Sequence, residues 1–255
     1  MTKTLKDFTV KSKKHIGSCC LLTLKTSDSS ELPQIVPGQF VEVQCETSGV
    51  MLRRPISVCN ITSDGCLVLL VKSVGKGSEY IVNLPVGGKV NILLPLGNGF
   101  SISDRQKKVL LVGGGVGAAP LSYLAHTLVA KGADVTILIG ARSAAELSAI
   151  ETLYPSAARL ALATDDGSLE HHGLVTTHPV FDDEYDKVYS CGPTPMMRAV
   201  AHIARERNIN CEVSLENHMA CGLGACLCCV EKTTEGHLCV CTEGPVFNIN
   251  RLLWN

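Results

Sequence analysis

The stretch KKVLLVGGGVGAAPLSYLAHTLVAKG, residues 107–132, changes character halfway along its length. Its first half is a short apolar run with the signature of a buried strand. From Pro120 onward, Leu121, Leu124, Ala125, Leu128 and Val129 recur at helical spacing, and Gly132 closes the segment. Between the halves, Gly113-Gly114-Gly115-Val116-Gly117-Ala118 matches G-x-G-x-x-A in a strand–turn–helix context. Glycines there permit a tight turn and let a pyrophosphate approach the N-terminus of the helix. A plain glycine-rich turn is the competing reading of the same residues.

Downstream the alternation continues. DVTILIG (134–140), RLALAT (159–164), KVYSCG (187–192) and CEVSLE (211–216) read as strands. Ser143-Ala144-Ala145-Glu146 reads as a capping box ahead of a helix carrying Leu147, Ile150 and Leu153. Thr194 is the expected N-cap of a further helix, with Pro195 at its first position. Such alternation predicts an α/β doubly wound parallel sheet over residues 102–216. No acidic residue closes the strand after the glycine turn, which ends Gly140-Ala141-Arg142. Arg142 could accept a 2′-phosphate, but such a residue is more often a solvated loop arginine.

Upstream, residues 1–101 show no sustained helical period. GQFVEVQC (38–45), RPISVCNI (54–61), CLVLLVKSV (66–74) and KVNILLPL (89–96) are short strand-like runs punctuated by turns such as Ser63-Asp64-Gly65. That spacing predicts an antiparallel β-barrel. Within it, Arg53-Arg54-Pro55-Ile56-Ser57 offers an arginine and a hydroxyl suited to a phosphate and a flavin ring nitrogen. Gly75-Lys76-Gly77-Ser78 reads as a small-residue turn with free N–H groups, able to complete a phosphate cradle or simply to close a hairpin.

Bulk properties narrow the classes. Of 255 residues, 45% are hydrophobic, enough for a large buried core, and the formal net charge is −1. That balance gives no electrostatic case for nucleic acid or anionic lipid. No apolar run approaches a membrane span, and no export signal is visible, so a soluble, cytoplasmic protein is expected.

Thirteen cysteines, an odd number, argue against a disulfide framework in a reducing compartment. Cys19, Cys20, Cys45, Cys59 and Cys66 lie in strand-like contexts and read as small buried hydrophobes. Six others crowd into HMACGLGACLCCVEKTTEGHLCVCTEG (218–244). Cys221, Cys226 and Cys229 form C-x4-C-x2-C, the plant-type [2Fe–2S] spacing in its first three ligands. Gly222 and Gly224 let the backbone wrap closely enough for N–H groups to meet sulfur. Zinc held by Cys226/Cys229 and Cys239/Cys241 is the alternative. Spacing decides nothing between Cys239 and Cys241 as fourth cluster ligand, and Cys228 reads as a bystander.

Barrel, then dinucleotide domain, then cysteine segment resembles the ferredoxin–NADP reductase superfamily. RRPIS, GKGS, PLGNGF (95–100), GGGVGAAPL, TDDGS (164–168), CGPTPMM (191–197) and MACGLGAC with C-x-EGPVF narrow it further. Together they resemble the electron-transfer subunits of class 1B dihydroorotate dehydrogenase, over essentially the whole chain. The resemblance implies FAD held by Arg54, Pro55, Ile56 and Ser57, lined by Leu70, Val71 and Lys72, with Gly77 and Ser78 on its phosphates. It implies NAD at Gly113, Gly114, Gly115 and Gly117, with Cys191, Gly192 and Pro193 beside the nicotinamide path. It implies a [2Fe–2S] cluster on Cys221, Cys226, Cys229 and Cys241, the last standing directly before the EGPVF ending. The family usually has CEDGPVF where this chain reads CTEGPVF, and Ile56 stands where the wider superfamily often places an aromatic.

The expected architecture is an FAD-binding barrel (1–101), an NAD-binding α/β domain (102–216) and a cluster-binding segment (217–255). By resemblance the chain is an oxidoreductase subunit passing electrons between NAD and the FMN of a separate catalytic subunit, in a heterotetramer of two copies of each. There dihydroorotate becomes orotate in pyrimidine biosynthesis. Alternatives are a reductase subunit serving another partner, such as a sulfide dehydrogenase, or a non-enzymatic redox or zinc-stabilised module. His126 and His202 are read on helices without a second ligand at i+4, His171-His172 follows a DDGS turn, and Asp165-Asp166 reads as a turn pair.

Overall fold

The computed structural model describes residues 2–169 and 171–254. Its first half is a closed six-stranded antiparallel barrel built from β1 (Thr4–Ile16), β2 (Cys19–Thr26), β3 (Phe40–Val43), β4 (Arg54–Ile61), β5 (Leu67–Lys72) and β6 (Lys89–Leu96). The strand order around the barrel is β1-β2-β5-β4-β3-β6. Closure removes the exposed edges that would otherwise template aggregation. Alternate residues such as Phe8, Val10, Val41, Val43, Leu67 and Leu69 point inward and fill the interior.

One departure from the expected all-β reading lies between β5 and β6. Lys76–Asn83 is a helix, α1, not a hairpin turn. Ser78 Oγ accepts the N–H groups of Val74 and Gly75 at 2.9 and 3.1 Å and so caps the helix start. Ile81 alone of its large side chains is fully buried, so the short segment carried no visible period.

The second half contains β7 (Lys108–Gly114), α2 (Ala118–Ala130), β8 (Asp134–Ala141), β9 (Arg159–Thr164), β10 (His171–His172), β11 (Lys187–Cys191), α3 (Thr194–Glu206) and β12 (Asn210–Ser214). These strands are parallel, in the order β10-β9-β8-β7-β11-β12. The order reverses between β7 and β11, which is where an open α/β sheet leaves its binding crevice. Leu121, Leu124, Ala125 and Leu128 of α2 are fully buried, each leucine worth about 1.5–3 kcal/mol relative to exposure.

Two local expectations differ in detail. Residues 144–153 form two 3₁₀ turns, Ala144–Leu147 and Ile150–Leu153, with Ala149 left-handed between them at φ 61°. Ser143 makes no side-chain cap; the Ala144 N–H donates instead to Ser168 Oγ at 2.7 Å, so a tertiary contact replaces the capping box. Pro193, not Thr194, occupies the N-cap position of α3.

The C-terminal segment forms a hairpin, β13 (Val230–Thr233) with β14 (Gly236–Cys239), then the one-turn α4 (Val240–Glu243) and β15 (Val246–Asn248). β15 pairs antiparallel with β12 and so extends the parallel sheet at its edge. All thirteen cysteines are free thiols, and Cys19, Cys20, Cys45, Cys59 and Cys66 are buried. Among the described residues no helix is long and apolar enough to cross a membrane.

Candidate functional site

A cleft of about 580 Å³ opens between the barrel, the sheet and the C-terminal segment. Arg54, Pro55, Ile56 and Ser57 from β4 line it, as do Leu70, Val71 and Lys72 from β5 and Gly77 and Ser78 from α1. β4 and β5 are paired neighbours in the barrel, which places residues distant in sequence on one wall. The two adjacent arginines have different work. Arg53 bonds the carbonyls of Glu42 and Asn91 and the side chains of Gln44 and Asn91, and so braces the barrel. Arg54 donates to Leu52 O at 2.8 Å and lies across Gly77, where a Cβ would meet its Nε at 2.3 Å. The cradle thus joins a guanidinium to the N-terminal end of an eight-residue helix, chemistry that suits a phosphate. The Ser78 hydroxyl is committed to capping α1, which leaves backbone N–H groups as that turn's donors.

Val116 of the glycine turn and Ala119 line the cleft, whereas Gly113, Gly114, Gly115 and Gly117 are not among its lining residues. Cys191 sits beside Gly113 in the β7–β11 register, at the strand ends where the sheet order reverses. A Cβ at Gly117 would meet Cys191 O at 2.3 Å, and one at Gly114 would meet Pro193 Cδ at 2.8 Å. Gly192 approaches equally closely, since its Cβ would lie 2.9 Å from Gly114 N. The fold therefore brings Gly113–Gly117 and Cys191–Pro193 into backbone contact. The N-cap of α2 is Gly117, which has no side chain to cap the helix start. Cys191 is buried with its Sγ 3.8 Å from Glu216 Oε1; burial, then the Glu216 charge, pushes the thiol well up. Burial also raises the Glu216 carboxyl.

The cysteine loop wraps as its glycines allow. Gly222 and Gly224 are left-handed at φ 64° and 82°. Leu223 N–H donates to Cys221 Sγ at 3.3 Å, and Gly224 N–H to Cys241 Sγ at 3.1 Å. Cys241 N–H donates to Cys229 Sγ at 3.4 Å. For Cys221, burial acts upward but the N–H groups of Leu223, Cys226 and Ala225 outweigh it and bring the thiol down to about 6. Burial and the neighbouring Cys229 hold Cys241 at about 12; a metal would deprotonate such a thiol outright. Cys239 Sγ faces a carbonyl instead, Gly224 O at 4.0 Å. Among the described residues no three His, Cys, Asp or Glu side chains converge on a single ion position. Backbone N–H groups directed at sulfur are nonetheless the donor set that a thiolate-held centre uses, so the residues fit such a group. Cys226 and Cys228 are exposed, whereas Cys229 and Cys241 are buried.

Residues 216–253 match a family described as the iron–sulfur cluster binding domain of dihydroorotate dehydrogenase B. The electron transfer subunit of dihydroorotate dehydrogenase B (NAD(+)) from Desulforamulus reducens is 39% identical over 228 residues, covering 86% of this chain and 87% of that one. The corresponding subunit from Shouchella clausii is 39% identical over 228 residues, covering 85% and 86%. The chain belongs to the family of dihydroorotate dehydrogenase B electron transfer subunits. Its fold is shared more widely. The structure of an NADH-dependent reduced ferredoxin-NADP oxidoreductase, from work on flavin-based electron bifurcation, superposes with a TM-score of 0.86 at 29% identity, over 97% of this chain and 90% of that one. The FAD/NAD binding domain of nitric oxide dioxygenase from Vibrio cholerae O1 biovar El Tor gives 0.70 at 25% identity, over 82% and 98%.

Several residues that line the cleft have no binding role in the sequence reading. Phe40, Glu216, Asn217, His218, Met219 and Pro245 reach the cleft from a strand interior and from the lead-in and exit of the cysteine segment. Met219, in MACGLGAC, and Pro245, in the EGPVF ending, stand in motif stretches, and His218 opens the cysteine stretch.

Proposed function

We propose that this subunit conducts electrons between a nicotinamide nucleotide and a catalytic partner, through FAD in the cleft and a [2Fe–2S] cluster on Cys221, Cys226, Cys229 and Cys241. The observation that carries the reading is the shared wall between cleft and thiols. Phe40 lines the cleft and packs in one apolar cluster with Cys229 and Cys241. Pro245 lines it from the other side, four residues beyond Cys241. When bound, the flavin supplies hydride exchange with the nucleotide and the cluster supplies one-electron transport. The protein's own residues bind and orient. Arg54 and the Gly77 turn offer charge and N–H groups to a phosphate, and Pro55, Ile56, Leu70 and Val71 exclude water from the ring-binding wall. Gly113–Gly117 admits a pyrophosphate to the start of α2, and Cys191-Gly192-Pro193 shapes the approach of the nicotinamide. N–H groups of the cysteine loop take up charge at sulfur.

In this reading the chain divides near residues 101 and 216 into flavin, nucleotide and cluster units, and works in the cytoplasm. Its partner carries FMN and oxidises dihydroorotate to orotate, in a complex of two copies of each subunit with NAD as the final acceptor. A second reading, service to a different partner, is favoured by the likeness to the ferredoxin-NADP oxidoreductase. The test is a visible spectrum of the anaerobically purified chain with iron and acid-labile sulfide assays, before and after NADH, then with the co-expressed partner and dihydroorotate. Flavin and iron–sulfur bands bleached by NADH and by dihydroorotate support the first reading. Bleaching by NADH alone in the intact complex supports the second, and a colourless zinc protein overturns both.

A further inference from the structure

Glu42 is a charged residue that this electron path leaves without a task. It sits on β3, fully buried, and among the described residues neither carboxyl oxygen has a hydrogen-bond partner. Leaving such a group dry and unpaired is costly, so its position calls for a function. Alternation along β3 determines where it points. Val41 and Val43 belong to the barrel interior, whereas Phe40 packs with Cys229 and Cys241 on the outer side. Glu42 shares the Phe40 face. Its cover there is the cysteine loop: a Cβ at Gly222 would meet Glu42 Cγ at 2.9 Å and Oε1 at 3.2 Å. Gly222 is the residue next to Cys221. The neighbouring cations are committed elsewhere, Arg53 to four oxygens that include the Glu42 carbonyl, and Arg54 to the Leu52 and Arg53 carbonyls.

We propose that Glu42 is a positioning residue that sets the reduction potential of the iron–sulfur centre from beneath the Cys221–Cys226 loop. The inference rests on the reading that these thiols carry the cluster. Burial raises the Glu42 carboxyl to about 7 against the opposing charges of Arg53 and Arg54, so in mildly acidic buffer it carries its proton, and that form is a hydrogen-bond donor. A donor under the loop stabilises the added negative charge of the reduced centre more than it stabilises the oxidised one, which raises the potential. At 42 a glutamine keeps a donor of the same shape, and a methionine keeps length and burial without one.

The experiment is an EPR-monitored redox titration of the purified holo-complex in mildly acidic buffer, comparing the parent with Glu42→Met and Glu42→Gln. Iron and sulfide content and the flavin midpoint are followed in the same samples. The expected result is a lower cluster midpoint in Glu42→Met at full iron content, with the flavin midpoint unmoved and Glu42→Gln close to the parent. An unchanged or raised midpoint in a fully loaded Glu42→Met protein would overturn the proposal. Loss of iron from Glu42→Met alone would overturn it too, because the carboxyl would then hold the loop together instead of tuning the centre. A parent protein without any iron–sulfur signal would remove the underlying cluster reading, which is a separate failure.

Discussion

Replacing Lys187 with methionine should destabilise this chain more than almost any other single polar substitution. Lys187 starts β11 and is 1% exposed, yet its Nζ lies 2.9 Å from Glu212 Oε1 on β12. It donates to Ser101 O at 3.0 Å and to Ser101 Oγ at 2.5 Å, and it lies over the Tyr189 ring. Ser101 in turn donates its N–H to Glu212 Oε2 at 2.9 Å and its hydroxyl to Glu212 Oε1. Tyr189 reaches Ser101 O at 2.8 Å. Ser101 belongs to the segment that leaves the barrel, so this buried network ties the connection between barrel and sheet to the strands β11 and β12. β12 runs on into Leu215 and Glu216, which line the cleft, and Cys191 closes β11 about 13 Å from Lys187 at ~3.3 Å per residue.

Lys187→Met leaves the Glu212 carboxylate buried with only the two Ser101 donors. Removing one partner of such a pair costs about 3–5 kcal/mol, whereas replacing both by apolar side chains of similar size is often neutral or stabilising. For a protein of this size ~1 kcal/mol moves the unfolding midpoint by about 2–4 °C, so the single variant should melt roughly 6–20 °C lower. Lys187→Met/Glu212→Met should recover most of that loss. The assay is thermal unfolding at fixed flavin and salt, since bound cofactor shifts the midpoint by mass action. A single variant melting within about 2 °C of the parent would refute the network's stated weight, as would a double variant no better than the single.

Two further outcomes follow from the site geometry. Cys241→Ser should cost more than the about 10–100-fold in metal affinity typical of outer-shell changes, whereas Cys239→Ser should retain iron. Cys241 Sγ receives an N–H and Cys239 Sγ faces a carbonyl; equal iron content in both variants would remove the assignment. Gly117→Ala puts a methyl 2.3 Å from Cys191 O, a backbone atom that cannot swing aside. At about 1–3 kcal/mol of overpacking, NADH affinity measured by calorimetry should fall roughly 5–150-fold, and an unchanged dissociation constant would show that the turn yields.

Much of the architecture was legible along the chain because it rests on local periodicity. The apolar run before Gly113 and the helical spacing after Pro120 appear as β7 and α2, and the strand-like runs of the first hundred residues close into a barrel. Helix α1 escaped because only one large side chain of its eight residues is fully buried, which leaves no pattern to see. The Ser143 capping box failed for the opposite reason: the pattern was present, but Ser168 supplied a competing acceptor from 24 residues away. At the site, glycine and cysteine spacing announced the turn and the loop, since both need unusual backbone or several sulfurs within a short reach.

The division between sequence and fold is therefore one of range. Residue spacing by itself determined the order of barrel, parallel sheet and thiol loop, and nominated Arg54, Gly113–Gly117 and Cys221–Cys229, because each depends on neighbours within one turn or strand. Tertiary structure alone decided that Arg53 braces while Arg54 faces the cleft, and that Cys241 receives an N–H where Cys239 does not. It also decided that Glu42 lies beneath Gly222, 180 positions further along the chain. Those outcomes hang on which hydrogen-bond partners and which covering backbone the closed barrel brings within a few ångströms, and no local spacing encodes such contacts.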